Sequence, residues 1–110
     1  MQGNVMSTFD EREKAFESRF AHDEELRFKS VARRNKLLGA WAAELLGHTG
    51  QAAEAYVRSV VRSDFEEPGD EDVFRKVRAD FDAAKVPLDD EALRLKMREL
   101  LVTAAEQVSS

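Results

Sequence analysis

The chain has 110 residues, of which 43% are hydrophobic and 35% are charged, and its formal net charge is −5. This length fits one small domain, and the absence of cysteine excludes disulfides and thiolate metal sites. No apolar run reaches the roughly 18 residues of a membrane span, and the N-terminus has no signal-peptide core, so we expect a cytoplasmic protein.

The charge is unevenly distributed along the chain. Residues 1–36 contain eight bases and seven acids, whereas residues 37–110 contain nine bases and fifteen acids. Nucleic acids bind mainly to basic surfaces, so the acidic part of the chain argues against nucleic acid as a partner. The balanced N-terminal part is typical of a helix with many side-chain ion pairs.

The first predicted element is one helix over residues 8–46. Ser7 and Thr8 can cap its start, no proline interrupts it, and Gly47 is a natural stop. It is supported by three acid–base pairs at four-residue spacing: Asp10 with Lys14, Asp23 with Arg27, and Glu25 with Lys29. At ~1.5 Å per residue this helix would be about 58 Å long.

Three shorter helices follow, separated by the segments EEPGD and KVPLDD. Their expected N-caps are Thr49, Asp70, and Asp89 or Asp90. Their apolar stripes are, in order, Ala53, Tyr56, Val57, Val60, Val61 and Phe65; Val73, Phe74, Val77, Phe81 and Ala84; and Ala92, Leu93, Met97, Leu100, Leu101, Ala104 and Val108. The expected fold is all-α, a four-helix bundle.

The first helix is too long for the other three, which span roughly 22–28 Å. Its C-terminal half is rich in apolar residues, among them Leu38 and Trp41, and is expected to pack in the bundle with Trp41 in the core. Residues 8–36, in contrast, contain fifteen charged residues. We expect the N-terminal half to project or to be mobile, because an unpacked helix is marginal in water. This divides the chain into a mobile segment, residues 1–20, and a bundle, residues 21–110.

Three phenylalanines lie on one face of this N-terminal half. Phe9, Phe16 and Phe20 stand at offsets 0, 7 and 11, which share a helix face. Burying each ring against a partner contributes about 1.5–3 kcal/mol, so the stripe is typical of a helix that binds in a groove. The alternative is that this half folds back and buries the rings within the monomer, which would leave no aromatic edge for a partner.

A cluster of bases lies within residues 27–36. Its members are Arg27, Lys29, Arg33, Arg34 and Lys36. One interpretation is an anion site for an acidic partner surface or for weak adenine nucleotide binding, although no Gly-rich phosphate loop is present. The interpretation we favour is a solvated helix face whose bases offset the acids at residues 23–25.

The remaining titratable residues indicate no catalytic or metal site. His22 and His48 are isolated; His22, beside three acids, is either an exposed residue without a role or a group that couples binding to pH. The acidic trios at residues 70–72 and 89–91 begin helices and are expected to act as caps. With no arrangement of nucleophile and base, we expect that the protein is not an enzyme.

Residues 7–47, STFDEREKAFESRFAHDEELRFKSVARRNKLLGAWAAELLG, resemble the start of the zeta subunit of the alphaproteobacterial F-type ATP synthase. The resemblance continues through YVRSVVRSDFEEPGDEDVFRKVRADF at residues 56–81 to the last helix. A member of that family is expected to begin at Met6, so residues 1–5 are expected to be extra, either a tag remnant or the product of an upstream start codon.

The resemblance implies a regulatory protein that inhibits ATP hydrolysis. In that family a mobile N-terminal segment becomes helical when it is wedged at a catalytic α/β interface near the γ shaft. The implied partners are the α, β and γ subunits, at the cytoplasmic side of the inner membrane without insertion into it. The free protein is expected to be a monomer that requires no cofactor. The residues that match the inhibitory segment are Phe9, Asp10, Arg12, Glu13, Phe16, Glu17, Arg19 and Phe20.

The alternative function is a cytoplasmic helical adaptor or nucleotide-sensing module that binds partners through its bundle. Deletion of residues 1–20 separates the two hypotheses. An inhibitor would lose activity and keep its fold, whereas an adaptor would keep both.

Overall fold

The computed structural model describes residues 4–64 and 69–109. They form five helices: α1 (Asn4–Phe20), α2 (Glu24–Leu45), α3 (Gly50–Ser63), α4 (Glu71–Ala83) and α5 (Asp90–Val108). No strand occurs among these residues, so the all-α prediction is confirmed, but the expected four helices are five. Phe65 and part of the EEPGD segment lie outside the described residues.

The predicted first helix is interrupted at residues 21–23. Asp23 has extended backbone dihedrals, φ −145° and ψ 93°, and its carboxylate accepts a hydrogen bond from the Leu26 N–H at 2.9 Å. This N-cap satisfies a free donor in the first turn of α2, so Asp23 begins a new helix. The prediction of one helix over residues 8–46 is therefore wrong. The described residues extend 36 × 36 × 25 Å, far less than such a helix would require.

The four helices α2–α5 share one hydrophobic core, and we call them the body. α2 lies at its centre and packs most extensively against α5 and α3. The core consists of Leu38, Ala42, Ala43, Tyr56, Val60, Val73, Phe74, Val77, Phe81, Leu93 and Met97. Trp41 packs against this core with its ring centroid 5.7 Å from that of Phe81, as expected for a core residue. Of the described stripe residues, only Ala84 and Ala92 are exposed.

Gly47 ends α2 as predicted. Its φ of +82° lies in the left-handed region, which glycine adopts without steric cost. The His48 N–H donates to the Ala43 carbonyl at 2.9 Å, and the Gly47 N–H donates to the Glu44 carbonyl at 3.1 Å. These two bonds form a Schellman motif, which satisfies the last carbonyls of the helix.

The predicted N-caps of the later helices occupy the expected positions. Thr49, Asp70 and Asp89 directly precede α3, α4 and α5. Only the Asp89 side chain makes a capping hydrogen bond, from the Ala92 N–H at 2.8 Å. At the other end of the chain, α1 begins at Asn4, so the predicted caps at residues 7 and 8 lie inside it.

The helices α2 and α3 approach each other closely at Gly39. A Cβ atom placed at Gly39 would lie 2.9 Å from the Val57 Cα atom, which belongs to the backbone of α3. Only a residue without a side chain fits at this distance, so Gly39 sets the separation of the two helices. In the part of the chain described here, no helix is both long and apolar enough to span a membrane.

Candidate partner-binding site

Helix α1 is the only described helix that contributes nothing to the core of the body. It packs mainly against α5 and has few contacts with α2. Residues 21–23 alone connect it to α2. α1 is therefore a separate element that is attached to the body by one face.

The aromatic stripe of α1 packs against α5. Phe16 is only 7% exposed and clusters with Val102 and Ala105, and Phe9 and Phe20 are partly buried beside them. The Phe16 and Phe20 ring centroids are 4.2 Å apart. The prediction that the three rings share one face is confirmed.

The expectation of a projecting N-terminal half is wrong for this structure. The three-residue break lets α1 turn back onto the body, where an apolar face of α5 covers rings that would otherwise face water. The alternative that the sequence left open, a folded-back N-terminal half, describes the structure.

Two ion pairs flank the aromatic stripe and connect α1 to α5. The Arg12 guanidinium donates to both carboxylate oxygens of Glu106, at 2.7 and 2.8 Å. The Arg98 guanidinium donates to both carboxylate oxygens of Glu13, at 3.0 and 2.8 Å. The pairs have opposite polarity, with the arginine on α1 in one and on α5 in the other. This arrangement fixes the register of α1 on α5.

The same hydrogen bonds change the acidity of the two carboxyl groups. The bond from Arg98 holds the pKa of Glu13 below its ordinary value of 4.5, and the bond from Arg12 does the same to the pKa of Glu106. Side chains in both pairs remain partly exposed, so each pair contributes only about 0–1 kcal/mol.

The other predicted inhibitory residues lie outside these contacts. Asp10, Glu17 and Arg19 are exposed, and Arg19 donates a long hydrogen bond of 3.4 Å to the Ser109 hydroxyl. The structure thus brings Phe9, Arg12, Glu13, Phe16 and Phe20 together on α5 and leaves the remaining three facing solvent.

A cleft of about 150 Å³ lies at the junction of α1, α2 and α5. Its lining residues are Arg12, Ala15, Phe16, Arg19, Leu26, Ala105, Glu106 and Ser109. The cleft opens beside Phe16 of the aromatic stripe and beside the ion pair of Arg12 with Glu106.

The five bases of residues 27–36 make separate contacts. Lys29 pairs with Glu25 at 3.2 Å, and the Arg33 guanidinium donates to the Gln107 side chain at 2.7 Å. Arg27 lies 5.7 Å from the centre of the Phe20 ring, and Lys36 is exposed. For these four the interpretation as a solvated face agrees with the structure.

Arg34 is the exception, because its side chain is buried. It is 1% exposed, and its guanidinium donates to the Asp70 carboxylate at 2.9 Å and to the Asn35 amide oxygen at 2.8 Å. Asn35 in turn donates to the Asp64 carboxylate, where burial raises the pKa. Sequence reasoning missed this network because it assigned polar residues of α2 to solvent.

The described ranges contain no group of three or more histidine or acidic side chains able to hold a metal ion. His22 is exposed, and His48 lies beside Tyr56 with ring centroids 5.7 Å apart.

Comparison with protein families identifies one that matches this chain. The family model described as "ATPase inhibitor subunit zeta" matches residues 6–107, a range that runs from the first turn of α1 to the last turn of α5. No curated protein matches the chain.

Proposed function

Because this chain belongs to the ATPase inhibitor subunit zeta family, we propose that it inhibits ATP hydrolysis by the F-type ATP synthase through helix α1. Membership of the family confirms the resemblance seen in the sequence and indicates a regulatory subunit rather than a catalytic one. The structural observation that supports a role for α1 is its position. It carries an aromatic stripe on a helix that the core of the body does not use.

In the proposed mechanism, α1 leaves α5 and enters a catalytic α/β interface near the γ shaft. This interface must open and close as the shaft turns, and a helix within it obstructs the change. A ligand shifts such an equilibrium only by its difference in affinity for the two conformations. The inserted helix must therefore bind the trapped conformation more tightly than the one that follows.

The side chains of α1 have distinct roles in this proposal. Phe9, Phe16 and Phe20 supply the apolar contact, and burial of each ring is worth about 1.5–3 kcal/mol. The mixed charges around the stripe supply polar contacts at its edge: Asp10, Arg12, Glu13, Glu17 and Arg19. Because α5 already covers the stripe, binding exchanges one apolar surface for another and the ordering of α1 is already complete.

An ATPase assay on the catalytic head from the same organism tests the proposal. We expect full-length protein to inhibit and a protein without residues 1–20 to lose inhibition while its body keeps its fold, because the deletion removes the whole aromatic stripe. Phe28→Ala is a control that should inhibit like the original protein, since this phenylalanine of α2 is 75% exposed and lies outside the stripe.

Two outcomes would contradict the proposed function. Intact protein that binds the head without slowing hydrolysis is not its inhibitor. Inhibition that survives deletion of residues 1–20 would instead favour binding through the body.

A further inference from the structure

The face of α1 assigned to the synthase is the face that α5 covers. Phe16 is 93% removed from solvent by a cluster that includes Val102 and Ala105, and Arg12 and Glu13 are both engaged with side chains of α5. One face of a helix cannot contact two surfaces at once. Attachment of α1 to α5 and insertion of α1 into a partner are therefore mutually exclusive.

We propose that the α1–α5 contact is an autoinhibitory latch that keeps the free protein in a form unable to bind the synthase. The latch consists of the aromatic stripe on α5 together with the two ion pairs, Arg12 with Glu106 and Glu13 with Arg98. This inference rests on the proposed function and adds an element of regulation to it. The inhibitor acts only from the open state, in which α1 has left α5.

The composition of the latch makes it reversible. Of its three rings only Phe16 is buried, its four charged side chains remain partly exposed, and an open cleft of about 150 Å³ lies beside them. Opening breaks no contact of the body core, since α1 contributes nothing to that core. Residues 21 and 22 can change conformation without disturbing α2, whose first turn is capped by the Asp23 side chain and not by α1.

The latch lowers the potency of the inhibitor by a factor equal to the fraction of open molecules. When the binding-competent state is only partly populated, the apparent dissociation constant is the intrinsic one divided by that fraction. Any change that weakens the latch without altering α1 must therefore increase potency. A merely structural contact would have the opposite effect, or none.

The first experiment weakens the latch from the side of α5. The double variant Arg98→Gln and Glu106→Gln removes both ion pairs and leaves the sequence of α1 intact. We expect the inhibitor concentration that halves ATPase activity to fall about 2- to 30-fold, the factor that two exposed ion pairs supply. Amide hydrogen exchange within residues 8–20 should accelerate by the same factor, because both quantities report the open population.

Arg94→Gln is the matched control for this variant. Arg94 lies on α5 one turn before Arg98, and it also makes a two-contact ion pair with a glutamate, Glu71 of α4, at 3.1 and 3.3 Å. Its ion pair does not involve α1. We expect the control to leave potency and the exchange of residues 8–20 unchanged. An equal gain in potency from Arg94→Gln would assign the effect to the charge of α5 and overturn the latch.

The second experiment closes the latch covalently. The chain has no cysteine, and Ala15 of α1 and Ser109 beyond α5 are exposed residues that line the same cleft. A short, reducible crosslinker between Ala15→Cys and Ser109→Cys should lower potency at least about 10-fold. Reduction of the crosslinker should restore it. The same double variant alkylated at both thiols without a crosslink should inhibit like the reduced protein.

These measurements separate failure of the latch from failure of the proposed function. If full-length protein inhibits but the crosslinked and reduced forms are equally potent, or if no crosslink forms, the latch is overturned and the inhibitor role stands. If removing both ion pairs accelerates exchange without changing potency, α1 opens but does not limit inhibition, which also overturns the latch. A full-length protein that never inhibits removes the proposed function itself.

Discussion

Arg34 lies in the interior of the protein, where its charge is paired with one carboxylate and hydrogen-bonded to one amide oxygen. Its guanidinium, 1% exposed, contacts Asp70 at the start of α4 and Asn35 on its own helix. An unpaired buried charge is costly, whereas a charge that is paired and hydrogen-bonded is tolerated. The contact therefore connects the first half of α2 to the start of α4. Asp70 occupies the N-cap position of α4 and also pairs with the buried arginine.

Substitution of Asp70 tests this connection. Asp70→Ala should lower the free energy of unfolding by about 1–3 kcal/mol, since it leaves a buried guanidinium without its carboxylate. Asp82→Ala, which removes an exposed ion pair with Arg78, should cost about 0–1 kcal/mol. Urea unfolding of both variants provides the measurement. Equal midpoints would show that Asp70 does not stabilise the buried arginine.

Apolar periodicity predicted buried apolar residues well and buried polar residues poorly. Every predicted stripe residue of α4 except Ala84 is buried, because apolar side chains there repeat at the helix period. The buried face of α2 instead includes Ser30, Arg34 and Asn35, while Phe28 on the same helix faces solvent. No local pattern indicates this inversion, since the carboxylates that pair with Arg34 and Asn35 lie 36 and 29 residues further along the chain.

The break between α1 and α2 shows how an element boundary depends on tertiary contacts. Asp23 followed by Glu24 and Glu25 is a recognisable N-cap and acidic first turn. Acid–base pairs at four-residue spacing and the absence of proline, with Gly39 as the one glycine of residues 8–46, favoured a continuous helix equally well. The packing of α1 on α5 decides between them, and the sequence of α1 alone contains no information on it. For the same reason the aromatic stripe was predictable and the surface that covers it was not.

The close approach of α2 and α3 makes a prediction about helix packing. Gly39→Ala places a methyl group 2.9 Å from the backbone of α3 at Val57, so the two helices must separate. The expected loss of stability is about 1–3 kcal/mol, although alanine has the higher helix propensity. Thermal unfolding measures it. Ala40→Gly, at the exposed neighbouring position, is a control that should cost only the helix propensity of about 1 kcal/mol. A stabilised Gly39→Ala protein would contradict the close approach.

The attachment of α1 to α5 should depend on pH in the acidic range. Glu13 and Glu106 have a lowered pKa when paired with Arg98 and Arg12, so the attached state binds fewer protons than the open state. The two ion pairs therefore contribute their full stabilisation of the attached state above about pH 4.5. This stabilisation is lost as the pH falls through the lowered pKa values. The other acids near the two arginines are Asp10, Glu17 and Glu99.

Hydrogen exchange of residues 8–20, measured against a pH-corrected intrinsic rate, reports this loss. Protection should be constant from pH 7 to about pH 5 and should decrease below it. A Glu13→Gln and Glu106→Gln protein, which lacks the two titrating groups, should show a smaller decrease. Protection that rises on acidification would contradict the assignment of the two ion pairs.

The molecule as a whole should unfold in two stages, and detachment of α1 should require less free energy than unfolding of the body. Phe81 is fully buried in the body, and Phe81→Ala should lower global stability by about 3–5 kcal/mol. Phe16 is almost as buried, but its contacts hold only α1. Phe16→Ala should therefore release α1 and lower global stability by no more than the free energy of its attachment. Amide exchange resolves the two stages, and equal loss of protection throughout the chain in the Phe16→Ala protein would show one cooperative unit.

At this scale the sequence predicted the class of fold, and it placed the C-terminal half of the first predicted helix around one core with the three later helices, as the core of the body shows. Gly47 and the aspartates at the starts of α4 and α5 are local signals, and the stripes between them are strongly periodic. The position of α1 could not be predicted from the sequence, because that position depends on a contact between the two ends of the chain. Arg12 and Glu106 are separated by 94 residues.

The three residues that connect α1 to α2 also limit where the rest of the molecule can be. Fully extended, they form a tether of about 10 Å, while α1 itself is about 25 Å long. A partner that encloses α1 along its length must therefore hold the body against its own outer surface, next to the opening through which α1 enters. While α1 is bound, the body would occupy space at that opening and would hinder the movement of neighbouring subunits by steric exclusion alone.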